Sequence, residues 1–130
     1  MIILLIIHSL LRWIIMLVAA ALIARLAIGL VKKLAFDQTA RSLTAAFSGL
    51  MDAQMLLGIL YFVIDGLAGT GFPAYRWAHA LTMVVAVAVA HLPSRWKKAE
   101  DGIRTRNTLI AVVVSLLIVL VGIAILGIRY

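Results

Sequence analysis

Two histidines, His8 and His79, stand in separate apolar stretches of the chain. A neutral imidazole is a good axial ligand for haem iron, and two of them facing each other across a bundle would complete a six-coordinate b-type site. Such a site leaves no iron position open to substrate, so its chemistry is electron transfer. The neighbours have suitable types and spacing. Arg12 follows His8 by one helical turn and shares its face, while Arg76 precedes His79 by one turn. Both are cations of the kind that pair with haem propionates, and Arg12 would equally suit a quinone carbonyl. Met83, one turn beyond His79, is a pliable filler for a cofactor pocket. Gln54, in a third stretch, is a further candidate cofactor-binding residue and with Arg12 and Asp52 could form a quinone site, and Trp13 and Trp77 would serve as wall or interface aromatics.

The elements that must hold these residues are spelled out by hydropathy. Of the 130 residues, 65% are hydrophobic and 13% charged, against roughly 45–50% and about 25% in soluble domains. Mean hydropathy is +1.17. A spanning helix needs about 20 mostly apolar residues, and four such runs occur, at about 2–26, 43–64, 74–92 and 108–128. Backbone polar groups in hydrocarbon must be satisfied internally, which allows only helices or closed barrels. The runs lack the in–out alternation of barrel strands, so the expected fold is all-α: one integral-membrane domain over residues 1–130, a four-helix up-down-up-down bundle. The first run is expected to be a permanent span, because neither a leading positive charge nor a small-residue cleavage pattern marks it as a secretory signal. Cysteine is absent, which rules out disulfides, thiolate metal sites and iron–sulfur clusters.

The formal charge of +7 does not point to nucleic acid, because the excess is confined to two short connections. One carries Lys32, Lys33 and Arg41, the other Arg95, Lys97, Lys98, Arg104 and Arg106; the opposite side holds only Asp65, Arg76 and the terminal Arg129. By the positive-inside rule both termini face outward, to the periplasmic side of a bacterial inner membrane. The basic connections are also expected to touch anionic lipid head groups. The Gly-rich segment 65–73 forms the outer loop, and its closing Pro73 suits the start of the third helix. Small residues in the third span, with Gly49, Gly58 and Gly122 elsewhere, permit close helix approach.

Depth follows from counting at about 1.5 Å per residue. With Arg25 and Arg95 as inner anchors, His8 lies 17 residues in and His79 lies 16. Both therefore sit about 25 Å from the inner surface, in the outer part of a core about 30 Å thick. Arg12 and Gln54 are 13 residues from their anchors, counting Gln54 from Arg41, and Asp52 is 11. Arg12 and Asp52 are thus expected to pair, because charges inside spans face the bundle interior and seek partners. His91, four residues from Arg95, reads as interfacial. Blander alternatives remain open: the Arg12–Asp52 pair would simply lock two spans, and His79 would hydrogen-bond a neighbouring helix. Zinc or copper would need Asp52 or Met83 beside the histidines. The serines form no defensible Ser/His/Asp arrangement.

The residues also resemble a group of small bacterial four-span membrane proteins of the cytochrome b-like type. The resemblance rests on His8–Ser9–Leu10–Leu11–Arg12–Trp13 in the first span. It continues with Gln54 to Gly58 followed by Tyr61–Phe62 in the second, and with His79 followed by Met83 in the third. It covers three spans; the fourth contributes apolar character only. It implies haem b and electron transfer. The group often has an acidic residue just before the third-span histidine, where this chain has Ala78, so a carboxylate that orients the imidazole is not to be expected here.

Two functions follow as expectations. One is a haem-b electron-transfer subunit with His8 and His79 as iron ligands, exchanging electrons with a quinol or a periplasmic carrier near the outer surface. The other is a haem-free accessory subunit packed against other subunits of a larger respiratory or photosynthetic complex, or against copies of itself.

Overall fold

A computed structural model describes residues 1–127; Arg129, and Ile128 at the end of the fourth expected span, lie outside the described residues. The chain forms α1 (Ile2–Lys32), α2 (Gln38–Asp65), α3 (Ala74–Ala90) and α4 (Asp101–Gly127). All four spans belong to helices long and apolar enough to cross a membrane, and the described residues contain no strand. The chain is a multi-pass, all-helical membrane protein.

Three helices outrun the expected spans, for physical reasons visible at their ends. α1 runs on to Lys32, about 46 Å in all, well past a hydrocarbon core of about 30 Å. It stops where Lys33 adopts a left-handed conformation and returns its N–H to the Gly29 carbonyl. α2 begins at Gln38, five residues before its apolar run, because Asp37 caps it by accepting the Ala40 N–H at 3.0 Å. α4 likewise starts at Asp101, seven residues early, with an acid in its first turn. Only α3 is short. It ends at Ala90 and gives way to a 3₁₀ turn, Leu92–Trp96, that contains Pro93.

The helices pack in a ring, α1 against α2 and α4, and α3 against the same two. Arg25 meets Asp37 at 3.0 Å while His8 meets Gln54, so residue number falls along α1 as it rises along α2. Arg104 of α4 lies 4.0 Å from the Phe36 ring, which brings the two basic connections to one end of the bundle, the basic end. At the other end Gly66–Thr70 forms a wide π-helical turn. Positive φ at Gly69 and Gly71 (122° and 69°) turns the chain into Pro73 and α3, a conformation that side chains resist.

The tightly packed core occupies only part of the ring. Its buried residues are Ile15, Ala19, Leu22 and Leu26 of α1, Phe36 of the first connection, Ala40, Phe47 and Met51 of α2, Ala86, Val87 and Ala90 of α3, and Val112 and Val119 of α4. Ser115 reinforces it by donating to the Ala86 carbonyl at 2.8 Å. Towards the other end the packing relaxes. No described residue of 1–14, 52–65 or 67–85 is fully buried.

Asp37 ties α1 to α2. The Ala40 N–H, and after it the Arg25 guanidinium, holds its carboxyl below the usual carboxylate range. A depressed pKa contributes stability that is present at neutral pH and lost as the pH falls through the folded-state value. We expect the thermal midpoint in detergent to drop on acidification below the ordinary carboxylate range. Asp37→Ala should lower the neutral-pH midpoint and flatten that acid dependence; an unchanged acid limb in the variant would assign it to another group.

Candidate functional site

The loosely packed half of the ring contains the polar residues singled out by type and spacing. α1 contributes His8 and Arg12, α2 Gln54, and α3 His79 and Met83. His79 and Arg12 both lie within electrostatic reach of the His8 ring, so the two imidazoles occupy one region of the bundle.

The hydrogen bonds of each ring fix its proton. Gln54 Nε2 donates to the His8 carbonyl at 2.9 Å and lies 3.2 Å from His8 Nε2. An amide nitrogen only donates, so in this amide orientation His8 Nε2 accepts and the ring proton sits on Nδ1. That Nδ1–H is buried without a partner, and so is Gln54 Oε1. Unpaired buried polar atoms are rare and call for an explanation such as a further polar molecule. His79 is oriented differently. Its Nδ1 donates to the Gly122 carbonyl at 2.8 Å, which leaves the lone pair on Nε2. Among the described residues that nitrogen has no hydrogen-bond partner. A backbone carbonyl on one ring nitrogen and a free lone pair on the other is the usual setting of a metal-ligating histidine.

A glycine backs each ring. A Cβ on Gly58 would lie 3.1 Å from His8 Cε1, and one on Gly122 would run into Met83 Cε and approach His79 Nδ1 at 3.6 Å. The spacing of Gln54 and Gly58, four apart on one helical face, carried the first of these signals in the sequence. Gly122 gave none beyond being small.

The charged residues depart from expectation. Arg12 and Asp52 do not pair. Asp52 Oδ1 instead meets His91 Nε2 at 2.8 Å, and Arg12 lies 5.5 Å from the Trp13 ring centroid, with no ion pair or hydrogen bond among the described residues. α3 ends early, so His91 at its terminus reaches α2 at Asp52; counting depth along each helix gave no warning of that. With Asp52 drawn to His91, a zinc or copper site made of His8, His79 and Asp52 is not assembled. No group of three or more His, Cys, Asp or Glu residues able to hold a metal ion forms among the described residues.

Arg76 is engaged in the loop. Its Nη1 sits 2.9 Å from Asp65 Oδ2, 2.7 Å from Thr70 Oγ1 and 3.2 Å from the Gly71 carbonyl, over the Tyr61 and Phe62 rings. Trp77 packs edge-on against Phe62 with centroids 4.9 Å apart, so both residues fasten the turn before α3. Trp13, 62% exposed, faces outward.

What the fold and the site define is a four-span membrane protein with a two-histidine polar site in one half of the bundle. No family model, curated protein or solved structure matches the chain.

The glycine at position 122 is testable by size. Gly122→Val should cost about 1–3 kcal/mol, as overpacking does, by displacing Met83 and the His79 ring. Gly49, where a Cβ meets nothing within 4 Å, is the matched control, and Gly49→Val should shift the thermal midpoint in detergent much less. Equal shifts would mean that Gly122 is not a close-packed position.

Proposed function

We propose that this chain is a small b-type cytochrome-like electron-transfer subunit of a bacterial inner membrane, with a haem held between α1 and α3 by His79 and His8. The observation that carries the reading is His79: its Nδ1–H is fixed on the Gly122 carbonyl, and its Nε2 has no hydrogen-bond partner among the described residues. The wider donor set fits haem b. His8 provides a second imidazole within electrostatic reach, and Gly58 and Gly122 let the His8 ring and the Met83 methyl lie close against the neighbouring helices. For His8 Nε2 to serve as a ligand, Gln54 must give up the longer of its contacts, at 3.2 Å, while keeping the 2.9 Å bond to the His8 carbonyl. Met83 would pack beside the group, and Arg12, which has no carboxylate partner among the described residues, would meet a propionate or a quinone carbonyl. Arg76 holds the loop above the site. When bound, haem b supplies a one-electron couple at this position.

The likeness of the His8–Trp13 segment to the cytochrome b-like four-span proteins supports the same reading. The positive-inside rule gives an up-down-up-down bundle with the basic end cytoplasmic and both termini periplasmic. The site then lies toward the outer leaflet, within reach of a quinol or a periplasmic carrier.

One observation favours a second reading, a haem-free accessory subunit: His8 Nε2 already has a partner in Gln54, as an interhelical latch would. In that case loss of the chain should disturb assembly of a larger membrane complex, while changing either histidine would do little.

The reduced-minus-oxidised visible spectrum of the purified protein, with pigment extraction, separates the two. We expect a b-type difference spectrum at about one haem per chain, abolished in His79→Ala and retained in Arg76→Gln. A colourless protein, or a spectrum unchanged in His79→Ala, would overturn the haem assignment.

A further inference from the structure

The basic end contains a second polar site, independent of the histidine pair at the other end. Because α3 stops at Ala90 while α2 and α4 continue past it, a recess of about 320 Å³ opens beneath the 3₁₀ turn, between the inner ends of α2 and α4. Three of its lining residues are cations, Arg41, Lys97 and Arg104, and none is an acid. Among the described residues carboxylates pair with Arg25 (Asp37) and Arg76 (Asp65) or hydrogen-bond to His91 (Asp52), so none of these three cations is neutralised by a carboxylate. Two of them are held in place. Arg41 donates to the Phe36 carbonyl at 3.1 Å and to Gln38 Oε1 at 3.3 and 3.4 Å. Arg104 stacks on the Phe36 ring at 4.0 Å and reaches the Lys97 carbonyl at 3.4 Å. The remaining wall is partly apolar, with Ala45, Ala90 and Pro93.

We propose that this recess is a binding site for a phosphate group, and that its occupant is the phosphodiester of an anionic membrane lipid. Two fixed guanidinium groups match the oxygens of a tetrahedral anion, and Lys97 adds a mobile point charge. The recess lies at the basic end, where the shortest span ends, and its apolar wall suits the glycerol and the first methylenes of an acyl chain. Basic pockets between spanning helices bind lipid head groups on this principle. A free phosphate compound shares the chemistry of the charged part but makes no use of the apolar wall.

The test uses the full chain in nanodiscs of phosphatidylcholine alone or with phosphatidylglycerol. Lipid retained after detergent extraction is measured by native mass spectrometry, with and without inorganic phosphate. We expect about one phosphatidylglycerol retained per chain, reduced at least several-fold in Lys97→Gln and Arg104→Gln. Lys97 makes no ion pair, so its variant keeps the test valid should Arg104→Gln fail to fold. Lys98→Gln, a basic change outside the recess, should retain the lipid. Equal loss in Lys98→Gln would reduce the effect to diffuse surface charge and overturn the proposal, as would equal retention of phosphatidylcholine. Displacement of the lipid by inorganic phosphate at millimolar concentration would overturn the lipid assignment and make a free phosphate compound the occupant.

Discussion

Four helices that are apolar on every side have no hydrophobic reason to choose one neighbour over another, because lipid tails are as apolar as leucine. Specificity must then come from close contact at small residues and from the few polar groups, and each polar group has to find its partner within the bundle. This constraint organises the chain. Ser115 on the Ala86 carbonyl, His79 on the Gly122 carbonyl, Gln54 on His8 and Asp52 on His91 each tie two different helices. Individually such bonds contribute about 0.6 kcal/mol on average. Their value lies in register: each fixes which turn of one helix faces which turn of the next.

The contacts are not spread evenly, and the unevenness separates two kinds of region. Near the basic end the interfaces are filled by Leu22, Leu26, Phe47 and Val112, all fully buried, and ion pairs and caps close the connections. At the other end the aromatic group around Phe62 and the Arg76–Asp65 pair hold the turn, but between that turn and the core no residue of α1, α2 or α3 is fully buried, while α4 buries Gly122 against His79. The unpaired polar atoms of His8 and Gln54 lie in this middle zone. A protein built only to fill membrane volume would place leucine there, where a buried unpaired donor costs about 1–3 kcal/mol. These polar groups are the ones the proposed cofactor reading would use.

The four helices were legible because continuous apolarity over 20 residues has few other meanings, and because the basic residues cluster in two connections. The proximity of His8 and His79 was legible for a related reason: rise per residue is fixed, so equal counts from equal anchors place two residues at equal depth. Counting says nothing about azimuth, however, and it assumes that every helix ends at the same plane. Both failures meet in Asp52. It was expected to face Arg12, but α3 ends at Ala90 and delivers His91 to it instead. The same early end produces the recess at the basic end, which only the relative lengths of three helices could disclose. Hydrogen-bond orientation was equally out of reach, since His79 is fixed by a backbone carbonyl and every residue type has one.

Arg12 is the residue on which these strands converge. A guanidinium in a spanning helix cannot shed its proton, and the acid nearest in the depth count is taken by His91. What it has instead is the face of Trp13 at 5.5 Å, a contribution of about 0.5–1 kcal/mol at an exposed site and more when desolvated, against a cost of at least about 2.5 kcal/mol for an arginine near the bilayer centre. The helix could not be expected to keep such a charge for packing alone, because leucine would pack better. On the proposed reading a propionate or a quinone carbonyl would offset that cost, one turn from His8 on the same helical face. The cation, the His8 Nδ1–H and the His79 Nε2, each without a hydrogen-bond partner among the described residues, are the groups that the proposed haem reading would use.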